Sequence, residues 1–349
     1  MGSFEAFARE GHLNGMGFLQ RAKKVGRKFE NPVPTQLGGF RLMVKLLPLY
    51  YANREQKTPA EPVGPFRTDA SAYDMLPASG LRVTWFGHSA SLVEIDGVRV
   101  LIDPVWDERA APVQWFGPKR FFPPTLPLER LPRIDVVLIS HDHYDHLGKG
   151  TIRRLARLLP GVQWVTSKGV SASLRKFGVA ASCITELDWT ESVAVGEFSV
   201  TSVPSRHFSG RGMTNRNETL WGSFVLKGPK HTVYYGADSG WWDGFEEIGK
   251  AYGPFDLTML EIGAYHPLWG DIHLGPDNAV KAFEALGGKG LFMPIHWGLF
   301  DLALHGWRQP MTRLLELVSE LGTMVWSPEP GRPTEVVAGT TVQADWWRG

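Results

Sequence analysis

A chain of 349 residues, 43% of them hydrophobic, has room for one large core or two ordinary ones, and a net charge of +1 excludes a nucleic-acid partner held by bulk charge. Its single cysteine, Cys183, excludes an intramolecular disulfide, a cysteine zinc knuckle and a paired-cysteine nucleophile. Residues 1–15 hold no apolar leader and no window approaches the roughly 18 apolar residues of a spanning helix, so the expected location is cytoplasmic, with at most peripheral contact with a membrane.

Residues 1–80 read as an N-terminal extension and 81–349 as the catalytic domain. The extension carries a basic cluster (Arg21, Lys23, Lys24, Arg27 and Lys28), an apolar run at 42–51 broken by Pro48, and a polar, proline-rich run at 57–65. Basic beside apolar residues suits contact with an anionic membrane surface. No clean amphipathic period is visible, so packing against the core is the simpler reading.

From Leu81 the chain alternates. Strands are expected at 81–86, 91–95 and 98–102, with Asp96-Gly97 as the turn between the last two and Asp103-Pro104 ending the third. An aromatic, proline-rich loop at 105–132 leads to a strand at 135–139, short, apolar and rich in β-branched residues. Helices follow at 151–159, stopped by Pro160-Gly161, and at 169–176, with a strand at 163–166 between them. Strands at 198–203, 221–226, 232–235, 256–260 and 291–294 come next, and helices at 276–286 and 311–321. Two rounds of strands followed by helices predict two sheets between helical layers.

The strand at 135–139 delivers His141-Asp142-His143-Tyr144-Asp145-His146, three imidazoles and a carboxylate within six residues. Imidazole and carboxylate suit Zn²⁺ and similar divalent ions. Neighbouring side chains point in different directions, so the cluster cannot wrap one ion and two ions are the natural solution. His207, Asp238 and His296 each follow a later strand and would collect along the same edge. With Asp238 bridging, His141, His143 and His207 would hold one ion, and Asp145, His146 and His296 the other. A pair of ions lowers the pKa of a shared water from 15.7 to about 7 and makes hydroxide the nucleophile, so no serine or cysteine is required.

The spaced ligands, with Gly236-Ala237-Asp238-Ser239-Gly240 around one of them, resemble the metallo-β-lactamase fold, an α/β sandwich of four αββα layers, over about 81–305. Within it Trp85-Phe86-Gly87-His88-Ser89, Leu101-Ile102-Asp103-Pro104-Val105, Phe116-Gly117-Pro118-Lys119-Arg120-Phe121, the 138–147 segment, Leu220-Trp221-Gly222-Ser223 and Ile295-His296-Trp297-Gly298 resemble the N-acyl-phosphatidylethanolamine-hydrolysing phospholipases D. The resemblance implies two Zn²⁺ ions (Mn²⁺ or Fe²⁺ as alternatives) on the seven residues named. It implies hydrolysis of a phospholipid substrate to an N-acylethanolamine and a phosphatidic acid, peripheral membrane access and a homodimer. Asp145 and His273 are the candidate catalytic residues. His273 would donate to the phosphoryl oxygens; a surface-loop histidine is the alternative. Asp103 at a strand end would orient a ligand imidazole, unless it only forms the turn before Pro104. His88 is expected beside the ligands in a supporting place. His12, His231, His266 and His305 are assigned no role. Trp221, Trp241, Trp242, Trp269 and Trp297 fall near ligand segments, and core packing is the expectation for most of them.

Three rivals share parts of this pattern. A lactonase or a phosphodiesterase for a soluble phosphorylated substrate would use the same ligands. A di-iron redox protein would replace a cluster histidine by a carboxylate and carry a flavin domain, and neither feature is in the sequence. A non-enzymatic scaffold would lack ligands.

Overall fold

The computed structural model describes residues 17–36, 48, 56–212, 214–269, 271–321, 323–337, 340 and 344–348. A small hairpin, β1 (Lys24–Val25) and β2 (Lys28–Phe29), precedes two large sheets. The first sheet begins with β3 (Leu81–Gly87), β4 (Ala90–Ile95), β5 (Val98–Ile102), β6 (Val136–Ile139), β7 (Gln163–Ser167) and β8 (Ile184–Leu187). The second holds β9 (Ser192–Val195), β10 (Phe198–Val203), β11 (Ser223–Lys227), β12 (Thr232–Tyr235), β13 (Leu257–Glu261) and β14 (Leu291–Ile295), in reverse spatial order from β14 to β9. The last strand, β15 (Thr334–Glu335), returns to pair antiparallel with β3 and completes a 7-stranded first sheet. Pairing is parallel from β5 to β8 and from β12 to β14, so several strands present their carboxyl ends at one edge.

The helices are α1 (Lys149–Leu158), α2 (Ser171–Lys176), α3 (Gly244–Tyr252), α4 (Gly275–Ala285) and α5 (Gln309–Leu321). The period-two pleat sorts the side chains between layers. Val100 and Ile102 of β5 join a core with Val200, Phe224, Tyr234 and Leu260 of the second sheet. Leu101 between them joins a second core with Ile152 and Leu155 of α1 and Leu174 of α2. Phe245 and Ile248 of α3, Val280 and Phe283 of α4 and Met311 and Leu314 of α5 close over the second sheet. Both faces of each sheet are therefore covered, which is why the strands read as continuous apolar runs. The result is the expected four-layer αββα sandwich.

Several elements escaped the sequence reading. Strands β8 and β9 are only half-buried, and α3 shows a single apolar pair, Phe245 and Ile248, between glycines. The strand expected at 221–226 starts at Ser223, because Trp221 turns away to pack with Trp189, Leu220 and Phe29. In the extension, residues 17–36 lie along the second sheet: Phe18 meets the Trp242 ring edge-on at 5.5 Å, Arg21 pairs with Glu191 at 2.9 Å, and Ala22 N–H donates to Asp188 Oδ1 at 2.9 Å. The apolar run at 42–51, the candidate membrane face, lies outside the described residues apart from Pro48.

Candidate metal centre

Strands that end at the shared edge leave it through left-handed turns. His88 after β3 has φ +55°, Asp103 after β5 +37°, Ala237 after β12 +47°, Ala264 shortly after β13 +54° and His296 after β14 +62°. None of these is glycine, so each conformation costs on the order of 1–3 kcal/mol and persists only because its surroundings impose it. Strain gathered at one edge points to a site.

Two groups of ligand atoms converge there. In the first, His143 Nδ1 lies 2.9 Å from His141 Nε2 and 3.3 Å from His207 Nε2, and Asp238 Oδ2 lies 3.7 and 3.4 Å from those same two Nε2 atoms. In the second, Asp145 Oδ2 lies 3.5 Å from His146 Nε2 and 3.2 Å from His296 Nε2, and Asp238 lies 3.2 Å from each of those nitrogens. Asp238 faces both groups, with Oδ1 on His146 and Oδ2 on the other imidazoles. All seven residues expected as ligands are thus brought together.

The surroundings aim these atoms inward. His141 Nδ1 is bonded to Ser140 Oγ at 2.9 Å, His207 Nδ1 to Ile272 O at 2.8 Å and His146 Nδ1 to Asp103 Oδ2 at 2.7 Å, which leaves each Nε2 to the centre. Asp103 also accepts from Ser140 N–H at 2.7 Å, Ser140 Oγ at 2.5 Å and the Tyr235 hydroxyl at 2.5 Å. His88 Nε2 lies 2.9 Å from Asp145 Oδ2, and its ligand atom converges with those of Asp145, His146 and His296, so it stands in the second group itself and not only in the supporting place expected from the sequence. The loop of Asp238 is close-packed: a Cβ on Gly240 would meet Asp271 O at 1.5 Å, so only glycine lets the 271–273 segment pass.

The electrostatics ask for positive charge. Burial holds the His141 and His207 imidazoles well below their usual range, so both stay neutral, the form that binds metal. Burial opposes ionisation of Asp145 and Asp238, yet the facing His146 overcomes it and holds both carboxyls well below the usual carboxylate range. Against the same burial, Asp238 and its neighbours push His296 up to about 10 and raise His146. Protons on those two rings, or divalent cations in their place, would satisfy the carboxylates. The geometry favours the cations. His146 Nε2 and Asp238 Oδ1 face each other, buried, with no aligned hydrogen-bond partner. Ligands about 2.0–2.1 Å from a tetrahedral ion stand about 3.3 Å apart, within the 2.9–3.7 Å spread of the first group. The nitrogen and oxygen donor set fits Zn²⁺ or a similar ion.

His273 stands beside both groups, with its ring centroid 5.0 Å from His207 and 5.3 Å from His296. Its Nδ1 is 2.6 Å from Glu261 Oε2. Glu261 was missed by the sequence reading. It is fully buried at the end of β13, accepts from Ser239 N–H at 2.7 Å, and burial raises its carboxyl. The available signal was its place directly after a strand, which it shares with the other ligand segments. Among the histidines assigned no role, His231 bonds Asp96 at 2.7 Å, His305 accepts from Ala264 N–H at 2.9 Å, His266 accepts from Leu268 N–H at 3.1 Å, and His12 lies outside the described residues. Trp221, Trp242 and Trp297 are buried as expected, and half-buried Trp241 stacks on Phe245. Trp269 is the exception, 6.3 Å from His273 beside the exposed Leu268.

Residues 98–297 match the family model described as beta-lactamase superfamily domain. An uncharacterized protein of Mycobacterium tuberculosis (strain ATCC 25618 / H37Rv) is 46% identical over 273 residues, covering 78% of this chain and 73% of that protein. N-acyl-phosphatidylethanolamine-hydrolyzing phospholipase D 1 of Caenorhabditis elegans is 36% identical over 259 residues, covering 71% and 72%. The solved structure of an isothiocyanate hydrolase from Delia radicum gut bacteria shares the fold, with a TM-score of 0.59 at 19% identity over 73% of this chain and 99% of that one.

Proposed function

The chain belongs to the metallo-β-lactamase superfamily and is a metal-dependent hydrolase, and from that premise we propose that it is a dinuclear phosphodiesterase of the phospholipase D type. Its substrate would be an N-acyl-phosphatidylethanolamine, cleaved on the headgroup side to an N-acylethanolamine and a phosphatidic acid. The observation that carries the reading is one carboxylate, Asp238, facing two ligand groups, with His273 beside both. The likeness to the nematode phospholipase directs the choice of ester.

His141, His143, His207 and Asp238 would hold one ion, and Asp145, His146, His296 and Asp238 the other. When bound, such a pair supplies Lewis acidity to a phosphoryl oxygen and an activated water. The chain's own residues do the rest. Asp103, Ser140 and Ile272 fix which nitrogen each imidazole presents. Glu261 holds the His273 ring through Nδ1, which leaves Nε2 for a contact with a phosphoryl oxygen as charge builds. Leu268 and Trp269 give that side an apolar lip suited to an acyl chain. Among the described residues no helix is long and apolar enough to cross a membrane. The reading includes access from a bilayer surface, with part of the N-terminal 80 residues as the contact.

Purified protein should release N-acylethanolamine from N-acyl-phosphatidylethanolamine, and chelator treatment or His143→Ala should stop it. Brisk turnover of a lactone or a soluble phosphorylated ester, with none of the lipid, would overturn the choice of substrate.

A further inference from the structure

His207 differs from other ligand residues in what holds its main chain. It lies on the connection between β10 and β11, where no strand ladder reaches it. Its N–H donates to Asn31 Oδ1 at 2.9 Å, and its carbonyl accepts from Asn31 Nδ2 at 2.8 Å. The two bonds imitate one rung of a β-ladder, with an amide side chain standing in for a strand. The preceding residue is gripped from the same segment: Arg206 Nε donates to Thr35 Oγ1 at 2.9 Å and its guanidinium to Pro34 O at 3.0 Å. The other half of the centre is held by the core itself. His146 N–H donates to His143 O at 3.2 Å and His296 N–H to His88 O at 3.0 Å.

The gripping segment has its own anchorage away from the ligands. Phe18 N–H donates to Glu247 Oε2 at 2.7 Å, Ala22 N–H to Asp188 Oδ1 at 2.9 Å, and Phe29 is buried among Trp189, Leu220 and Trp221. Asn31 is thus presented from a fixed base and is not a passing surface contact.

We infer that Asn31 is a positioning residue for one ion only. By fixing the main chain of His207 it sets the affinity of the His141–His143–His207 group, and it leaves the Asp145–His146–His296 group untouched. The His207 ring has two tethers: the Nδ1 bond to Ile272 O and the main-chain clamp. Loss of the clamp strands an N–H and a C=O in a part-buried place and leaves His207 its Nδ1 bond and the hold on neighbouring Arg206 from Ser239 and Gly240, so the ring's Nε2 is held less firmly on the ion's position. The inference holds for any substrate and stands apart from the phospholipid reading.

The test is zinc affinity, measured by competition with a chelating dye in two backgrounds. His296→Ala leaves the first group as the intact one, and His207→Ala leaves the second. Adding Asn31→Ala should weaken zinc about 10–100-fold in the His296→Ala background and by less than about threefold in the His207→Ala background. Asn31→Asp keeps the shape but sets a carboxylate oxygen against the His207 carbonyl. It should show the same asymmetry, and it supplies the measurement if Asn31→Ala does not fold. Equal weakening in both backgrounds, or no weakening in either, overturns the inference. A parent protein that binds no zinc overturns the metal centre and the inference with it.

Discussion

The two sheets feed the centre in opposite ways. The first delivers His141, His143, Asp145 and His146 from one loop after β6, a contiguous block whose members sort themselves between two ions. The second delivers His207, Asp238, Glu261 and His296 from the ends of four strands, β10, β12, β13 and β14, separated by whole elements. A contiguous block is rigid by local bonding, as in Leu147 N–H to His143 O at 2.8 Å. Dispersed ligands converge only through tertiary packing, and the strained exits at Ala237 and His296 are part of what that convergence costs.

The sharpest way to break this comparison is at the residue that serves both groups. Asp238→Asn should cost about 10³-fold in turnover and weaken both ions, as several kcal/mol of charge stabilisation are lost. Metal analysis showing one ion retained at full affinity would mean that Asp238 does not bridge. Next in size is His273→Ala, expected to lower kcat by about 10²-fold with metal content unchanged. Glu261→Gln should act in the same direction by about 10–100-fold, and loss of metal from either variant would make them ligands instead. Asp103→Asn should weaken the group containing His146 about 10–100-fold and, through Ser140 Oγ on His141, the group containing His207 by less, readable by the same zinc competition.

The smallest effect is a pH dependence on the second sheet's side. Burial pushes His305 down to about 4, and its neutral form is built in, with Nε2 accepting from Ala264 N–H and Nδ1 donating to Gly306 O at 3.0 Å. Above the ordinary value of 6.5, folded and unfolded chains both carry it neutral. As pH falls from 6.5 toward 4, the unfolded chain takes a proton that the folded chain refuses, so stability is lost, on the order of 2 kcal/mol by pH 5. Urea unfolding at pH 7 and pH 5 should show that loss, and His305→Gln should reduce it. An equal loss in the variant would place its origin elsewhere.

What the sequence made legible follows the same division. The block at 141–146 announces itself by spacing, and His207, Asp238 and His296 by their places after apolar strands. The four-layer architecture follows from two rounds of strands and helices. Glu261 sat in an equivalent place but carries no local signature, because its role exists only once His273 folds back onto it. Asn31 was invisible as a partner of His207: the bonds span 176 positions, and both of them end on main-chain atoms that no side-chain pattern encodes. Strands β8 and β9 were missed because half-burial blurs the alternation that marks a strand.

Asp103 belongs to the first sheet, and the Tyr235 hydroxyl that it accepts comes from the second. The same carboxylate holds His146, so the floor of the centre is riveted across both layers. Capture of the ions must therefore come late in folding, after the layers have closed and the two sets of donors have met. A chain arrested before closure would hold the 141–146 block and still lack a complete cradle for either ion.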